Sequence, residues 1–257
     1  MRININEIFG PTIQGEGLRT GCPTMFVRLN GCNLRCVFAG GSICDTPYTS
    51  HHAEKGEMYE ADELAHKLID IYNEQQLTDL IITGGEPMLQ RLPLEITLKV
   101  FKQAHPHVKV TVETNGSIIP TPELFDLVDL WSVSPKLANS GCFDGTDVPD
   151  RERKMHHKNR FNPIALAGIA NGGREVQFKF VYTNDETEAM VKEVLEETKK
   201  LTTYHDLERV SVLIMPEGQT LEQINRSTEQ ALPACYRNGW RFCDRLHIRI
   251  WGDKRGV

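Results

Sequence analysis

Apolar and polar positions alternate along the chain in a way that predicts strands separated by helices. The segment 59–76 places Leu64, Leu68 and Ile71 at helical spacing, which is typical of an amphipathic helix. Further helices are expected after Pro93, over 123–127, around Met190, Val194 and Leu195, and over 221–232. Short apolar runs predict strands at 24–30, 79–83, 108–113, 130–134, 175–182, 209–215 and 245–251. We therefore expect an α/β fold with a parallel sheet of about six strands, fewer than the eight of a complete barrel.

The segment 137–162 interrupts this alternation. It contains several turn-forming residues and then a basic cluster over 151–160. We expect a solvated loop or insertion here. A lid or a partner-docking segment is the alternative.

Polar turns directly follow four of the predicted strands. They read TGGEP (83–87), ETNG (113–116), SPK (134–136) and MPEG (215–218). The carboxyl ends of parallel strands lie on one rim of a sheet, where α/β proteins bind ligands. Each turn alone has an ordinary explanation, because Gly and Asn are common turn residues. Four on one rim indicate a site.

Composition excludes several classes of protein. The chain has 257 residues, with 25% charged and 40% hydrophobic residues, which suits a single globular domain. A net charge of −6 gives no reason to expect nucleic-acid or membrane binding. The first residues contain no long apolar run, so we expect no signal peptide. Seven cysteines without a secretory signal favour reduced thiols and a cytoplasmic protein.

Three cysteines, Cys32, Cys36 and Cys44, lie close together in the segment 31–48. Thiolates suit soft metals, and a structural zinc site needs four ligands, the fourth of which His51 or His52 could supply. A 4Fe-4S cluster held by three cysteines is the other possibility, and it leaves one iron with an open coordination position. The residues alone leave both metals open.

The ordered motifs resemble those of the radical S-adenosylmethionine enzymes and, among them, of the 7-carboxy-7-deazaguanine synthases. They are EIFGPTIQGEG (7–17), MFVRLNGCNLRC (25–36), CDTPYT (44–49), TGGEP, ETNG, SPK and LHIRIWGDKRGV (246–257). The resemblance runs in order from residue 7 to residue 257, with least support over 137–175. The family's usual cysteine spacing is C-x₃-C-x₂-C with an aromatic residue before the last cysteine. Here the second gap has seven residues and Ile43 takes the aromatic place, but CDTPYT resumes intact, so Cys44 is interpreted as the third ligand.

The resemblance implies one radical S-adenosylmethionine domain over 1–257, folded as a partial TIM-like β/α barrel. It implies a 4Fe-4S cluster, S-adenosylmethionine and Mg²⁺ as cofactors, with no catalytic side chain beyond the cofactor ligands. The implied reaction contracts 6-carboxy-5,6,7,8-tetrahydropterin to 7-carboxy-7-deazaguanine. A hydrogen atom leaves C6 and is later returned, and ammonia is lost. A flavodoxin or ferredoxin as electron donor, and a homodimer, are further expectations.

The resemblance also assigns residues to each ligand. The cluster ligands are Cys32, Cys36 and Cys44, and the Mg²⁺ ligand is Thr46. S-adenosylmethionine is assigned to Gly84, Gly85, Glu86, Asn115, Ser134, Pro135, Lys136 and Lys179. The substrate is assigned to Ile13, Gln14, Gly15, Glu16, Arg28, Thr83, His247 and Val257.

Two other functions are compatible with part of this pattern. A radical activase, which makes a glycyl radical on a partner protein, would share the cysteines and GGEP but has no use for QGEG or WGDKRGV. A non-enzymatic zinc or iron–sulfur binding module would need only the cysteines.

Overall fold

The computed structural model describes residues 1–202 and 207–257 of the chain. Its strands are β1 Arg2–Ile13, β2 Pro23–Leu29, β3 Glu57–Glu60, β4 Asp79–Gly84, β5 Lys109–Thr114, β6 Leu130–Val133, β7 Glu175–Tyr182, β8 Ser211–Pro216 and β9 Arg241–Phe242. Its helices are α1 Ala61–Glu74, α2 Arg91–Ala104, α3 Pro122–Leu127, α4 Asp150–Asn159, α5 Pro163–Gly172, α6 Glu186–Lys199, α7 Leu221–Asn238 and α8 Leu246–Trp251. None of the helices in these residues is long and apolar enough to span a membrane.

The described strands form one nine-stranded sheet in the order β3-β1-β2-β4-β5-β6-β7-β8-β9. From β2 to β9 every neighbouring pair is parallel, and each of these strands lies beside the parallel strand that precedes it in the chain. Six predicted strands, from 24–30 to 209–215, are present at these places. The α/β fold with a mostly parallel sheet is thus confirmed.

The two faces of the parallel strands differ in polarity. In β4, Leu80 and Ile82 pack into the main hydrophobic core, whereas Thr83 lies on the opposite face. The same alternation repeats in β5 to β7, where Val112, Trp131 and Phe178 belong to the core. Because successive strand residues point to opposite faces, a polar residue next to each of these core residues reaches the other face. One face of the sheet therefore holds the core and the other presents a row of polar side chains.

Three of the described strands, β1, β3 and the two-residue β9, were not expected from the sequence. β1 covers most of the EIFGPTIQGEG motif and pairs antiparallel with both β2 and β3. The strand carries Ile3 and Ile5 into the core while most of its other residues stay partly exposed. The alternation of buried and exposed residues that marks a strand therefore stops after Ile5, so no local signal in the sequence indicated β1.

The predicted last strand over 245–251 is wrong: residues Leu246–Trp251 form α8. The sheet ends at β9, which is two residues long, and the last sheet bond joins the Cys243 amide to the Ile214 carbonyl at 2.9 Å. Beyond it the chain turns towards β1, where the Leu246 amide donates to the Gly15 carbonyl at 2.9 Å. The alternating apolar residues do not share one buried face, since Ile248 is buried whereas Ile250 is 50% exposed.

The expected loop over 137–162 is only partly a loop, because α4 forms over Asp150–Asn159. Its first turn is acidic and its last turn contains His156, His157 and Lys158, the charge order that a helix dipole favours. The helix buries His156 but has no apolar stripe, so hydrophobic periodicity did not reveal it.

Candidate active site

A cavity of about 920 Å³ lies at the carboxyl ends of the parallel strands. The polar face of the sheet forms its floor, through Arg28, Thr83, Glu113, Ser132 and Lys179. All the sequence-predicted site residues line this cavity except Glu86 and Pro135. The polar turns that were expected on one rim of the sheet thus line a single cavity.

The long cysteine gap folds as a small hairpin. The Phe38 amide donates to the Ser42 carbonyl at 2.7 Å, and Val37 and Ile43 form an antiparallel bridge. The Cys44 amide then donates to the Cys36 carbonyl at 3.2 Å. The extra residues therefore leave the loop and return to it, which places Cys44 opposite Cys36.

All three of these thiols line the cavity, whereas Cys22, Cys142, Cys235 and Cys243 do not. Burial raises the pKa of Cys32 to about 12 and raises the pKa of Cys36 and Cys44 as well. Among the residues that the structure describes, no three His, Cys, Asp or Glu side chains converge on a single-ion site. Three thiols around one cavity are the donor chemistry of an iron–sulfur cluster.

The GGEP turn packs against the start of the cysteine loop. The Gly85 amide donates to the Leu29 carbonyl at 3.2 Å, and the Glu86 amide donates to the Gly31 carbonyl at 2.9 Å. A Cβ on Gly85 would lie 2.1 Å from the Gly31 carbonyl oxygen and 2.9 Å from the Cβ of Cys32. Only glycine fits here, because the obstructing atom belongs to the backbone.

Glu86 lies behind the cavity wall and is fully buried. Its carboxylate accepts hydrogen bonds from the Met88 amide at 2.9 Å, the Thr114 hydroxyl at 2.7 Å and the Asn115 amide at 2.7 Å. Burial raises the pKa of this carboxyl. Glu86 thus holds the GGEP and ETNG turns together, a position that differs from the direct ligand contact expected of it.

The ETNG and SPK turns supply polar atoms to the neighbouring wall. The Asn115 amide group donates to Asn33 Oδ1 at 3.0 Å, and Lys136 Nζ donates to Ser134 Oγ at 2.9 Å. The Ser134 amide donates to the Thr114 carbonyl at 2.7 Å, which joins the two turns. Pro135 lies between two lining residues but does not itself line the cavity.

Gln14 and Thr83 share one acceptor, Glu113. Gln14 Nε2 donates to Glu113 Oε1 at 3.1 Å, and Thr83 Oγ1 donates to Glu113 Oε2 at 2.8 Å. Glu113 is the first residue of the ETNG motif, and the sequence predicted no role for it. Its position near the end of a buried strand was the available signal, because the residue next to buried Val112 points to the opposite, polar face of the sheet.

Glu16 lies at the centre of a group of buried charges. It pairs with Lys179, and its Oε1 lies 2.9 Å from Arg245 Nε and 3.9 Å from His247 Nε2. Burial alone would raise the pKa of Glu16, but Lys179, Arg245 and His247 together hold it well below its usual range. Glu16 is therefore a permanent carboxylate in the cavity. Gly15 is required beside it, because a Cβ would lie 2.2 Å from Nδ1 of the His247 ring.

Arg245 also reaches the cysteine loop. Its Nη2 lies 2.8 Å from Asp45 Oδ2, and its Nη1 donates to the Gly218 carbonyl at 2.5 Å. Asp45 is next to Cys44, whose Sγ lies 3.3 Å from Thr46 Oγ1. Sequence reasoning missed Asp45 and Arg245. The motif CDTPYT contained the first, and the second lay in a segment assigned to a strand.

Arg28 and the last residues of the chain close another side of the cavity. Arg28 Nε donates to Glu7 Oε1 at 2.7 Å, and Arg255 Nε donates to Glu7 Oε2 at 3.0 Å. The Arg255 guanidinium stacks 3.7 Å from the centre of the Tyr48 ring. Residues 253–257, including Val257, line the cavity next to this contact.

Comparison with known proteins identifies the family to which the chain belongs. A family model described as a 4Fe-4S single cluster domain matches residues 13–158. A 7-carboxy-7-deazaguanine synthase from Pyrobaculum aerophilum is 32% identical over 99% of this chain and 97% of its own length. The chain belongs to the 7-carboxy-7-deazaguanine synthase family. Another member, from Hyperthermus butylicus, is 34% identical over 96% of this chain and 92% of its own length.

The family's fold is also recognisable in a solved structure. The crystal structure of QueE from Escherichia coli matches with a TM-score of 0.63, over 96% of this chain and 95% of that chain. Its sequence identity is 22%, so the match concerns the fold. Family membership sets aside both the glycyl-radical activase and the non-enzymatic metal-binding module.

Proposed function

We propose that the chain is a lyase that contracts 6-carboxy-5,6,7,8-tetrahydropterin to 7-carboxy-7-deazaguanine and ammonia, a step in 7-deazapurine and queuosine-precursor synthesis. The supporting observation is that the three-cysteine loop and the Gln14–Glu16 segment line one cavity in a member of this family. The electron donor, a homodimer and a cytoplasmic location are proposals from the sequence. A single domain and a partial barrel also remain proposals, the latter supported by the sequential order of the parallel strands.

Cys32, Cys36 and Cys44 would hold a 4Fe-4S cluster. Gly84, Gly85, Asn115, Ser134 and Lys136 line the adjacent wall, where they would hold S-adenosylmethionine. Bound together, these two cofactors supply the hydrogen-atom abstraction and return that the reaction needs. Glu86 and Pro135 would act by shaping this wall rather than by touching the cofactor.

The pterin substrate would lie over the polar face of the sheet. The carboxylate of Glu16 suits the amino and ring N–H donors of an aminopyrimidinone edge, and Gln14 offers an amide beside it. Lys179 pairs with Glu16, so we assign it the role of holding that carboxylate rather than a direct contact with S-adenosylmethionine. Ile13, Thr83 and His247 complete this wall.

The substrate carboxylate would lie towards Arg28 and Thr46. Arg28 uses Nε for Glu7, which leaves its Nη atoms for a planar contact with a carboxylate. Thr46 would supply the one protein oxygen to Mg²⁺, an ion that normally keeps several non-protein ligands. Val257 and the neighbouring tail would exclude water from this side. Fixing the substrate at both ends would hold C6 in place for the radical step.

The test is an anaerobic assay of the reconstituted protein with dithionite, S-adenosylmethionine, Mg²⁺ and 6-carboxytetrahydropterin, followed by mass spectrometry. We expect 7-carboxy-7-deazaguanine from the wild type and none above background from Cys44→Ala. Cys22→Ala is the matched control and should retain activity, because Cys22 lies outside the cavity. A fully loaded wild-type protein that forms no deazaguanine would exclude the proposed function.

A further inference from the structure

The cysteine loop and the segment 137–162 form one packed unit. The Val37 amide donates to the Ser140 carbonyl at 2.8 Å, and the Cys142 amide donates to the Val37 carbonyl at 2.9 Å. Arg35 Nε also lies 2.7 Å from Glu152 Oε2 on α4. The longer cysteine gap and the irregular segment of the sequence are therefore in direct contact.

His156 fixes α4 against this loop. The ring is fully buried, its Nδ1 accepts from the Arg35 amide at 3.2 Å, and its Nε2 lies 3.2 Å from Ser140 Oγ. Phe143 packs edge-on against the ring at a centroid distance of 5.2 Å. The opposite side of α4 consequently faces solvent.

That outer side carries a cationic stripe formed by Arg151, Lys154 and Lys158, which we call the α4 basic face. Their spacing of three and four residues places them on one side of the helix, and all three are exposed. In the described part of the chain they form no ion pair, and the nearby Glu152 is engaged by Arg35. Met155 beside them is 45% exposed. The whole chain has a net charge of −6, so this face is a local exception.

We propose that the α4 basic face docks a small acidic protein that delivers one electron to the site. The inference rests on the proposed function, because an iron–sulfur cluster behind the loop requires an electron source. Opposite charges on two surfaces accelerate association and orient the encounter, whereas the negative remainder of the chain would repel an acidic carrier. In the transfer step the carrier loses one electron and the cluster gains one, with no proton or group transferred.

The test compares Lys154→Glu/Lys158→Glu with a control, Lys99→Glu/Arg241→Glu. The control residues are exposed, lie on α2 and β9 outside the cavity lining, and change the net charge by the same amount, from −6 to −10. Stopped-flow absorbance would follow reduction of the reconstituted cluster by flavodoxin hydroquinone and, separately, by reduced ferredoxin. With whichever carrier reduces the wild type faster, we expect the rate of cluster reduction in Lys154→Glu/Lys158→Glu to fall about tenfold or more at low ionic strength. The control should match the wild type, and high salt should remove the difference.

The neutral variant Lys154→Gln/Lys158→Gln should show an intermediate rate if charge, rather than folding of α4, is responsible. Equal rates of cluster reduction by the carrier in the wild type and in Lys154→Glu/Lys158→Glu would overturn the proposal. So would failure of both carriers to reduce the wild-type cluster. Dithionite should reduce every variant alike. A wild-type protein that makes no deazaguanine with dithionite would instead refute the proposed function, while carrier rates would still report docking.

Discussion

Arg245 connects the two halves of the cavity through a single side chain. It is 7% exposed, and its guanidinium contacts Glu16 on the β1 side and Asp45 in the cysteine loop. The planar fork of arginine can serve two carboxylates at once, which the single ammonium of lysine does less well. Orientation of Glu16 towards a substrate therefore depends on a residue that we do not expect to touch it.

Replacing Arg245 should weaken substrate binding more than it slows the chemical step. In Arg245→Gln, Glu16 and Asp45 both lose a partner, so we expect KM for the pterin to rise about tenfold or more. Loss of one partner from a buried ion pair should also lower the free energy of unfolding by about 3 kcal/mol. Arg245→Lys should give intermediate values. Steady-state kinetics and urea unfolding would test this, and an unchanged KM in Arg245→Gln would contradict it.

The position of α4 depends on the protonation state of one histidine. His156 Nδ1 accepts from the Arg35 amide, while Ser140 Oγ donates to the Leu137 carbonyl at 2.7 Å. The histidine proton must then reside on Nε2 and be donated to Ser140 Oγ. Burial, with the neighbouring cations, lowers the pKa of His156 to about 4. A second proton on Nδ1 would remove the acceptor that ties α4 to the cysteine loop.

Stability should consequently fall as the pH drops below neutrality. The pKa of His156 in the folded protein lies below its unfolded value of 6.5. The neutral ring therefore makes its full contribution to the stability of the folded state above pH 6.5. This contribution is lost as the pH falls from 6.5 towards 4, and it amounts to about 3 kcal/mol over the whole window. Urea unfolding of the wild type and His156→Gln at pH 7 and pH 5 would measure it. We expect the free energy of unfolding to change less between pH 7 and pH 5 in His156→Gln than in the wild type. An equal change in both proteins would refute the role assigned to His156.

At the scale of the whole molecule, the first strand and the last residues of the chain meet at one wall of the cavity. Arg255 donates to Asn6 Oδ1 at 2.9 Å and to both Glu54 carboxylate oxygens at 3.1 Å, in addition to its contact with Glu7. Glu7 also accepts from Arg28. The tail thus helps to set the position of an arginine proposed to bind the substrate carboxylate.

Arg255→Ala should raise KM for the pterin several-fold, because Glu7 would then pair with Arg28 alone and the wall near Val257 would open. Arg255 is partly exposed, so the free energy of unfolding should change by less than about 1 kcal/mol. Arg255→Lys keeps the charge but cannot bridge Glu7 and Glu54 equally well. Its KM should therefore lie between those of the wild type and Arg255→Ala. A large loss of stability without a change in KM would indicate a purely structural role for the tail.

The cavity wall formed by the polar turns and the three thiols could be predicted from the sequence because its signals are local. Gly84, Gly85, Ser134 and Lys136 lie at or just after the ends of buried strands, and parallel strands bring such turns to one rim. The cysteines are close in sequence, so the hairpin that joins Cys36 to Cys44 needs only a short loop closure.

The sequence by itself therefore determined the alternation of strands and helices, the grouping of the polar turns on one rim of the sheet, and the three thiols that line the cavity. Tertiary structure alone decided that 246–251 is a helix, that Glu86 lies behind the wall and that Arg245 bridges Glu16 and Asp45. These features depend on residues up to 229 positions apart. A local pattern records which face of a strand is buried, but not which distant charge a buried arginine will meet. That pairing is set by the desolvation cost of burying a charge, which only the folded chain can offset.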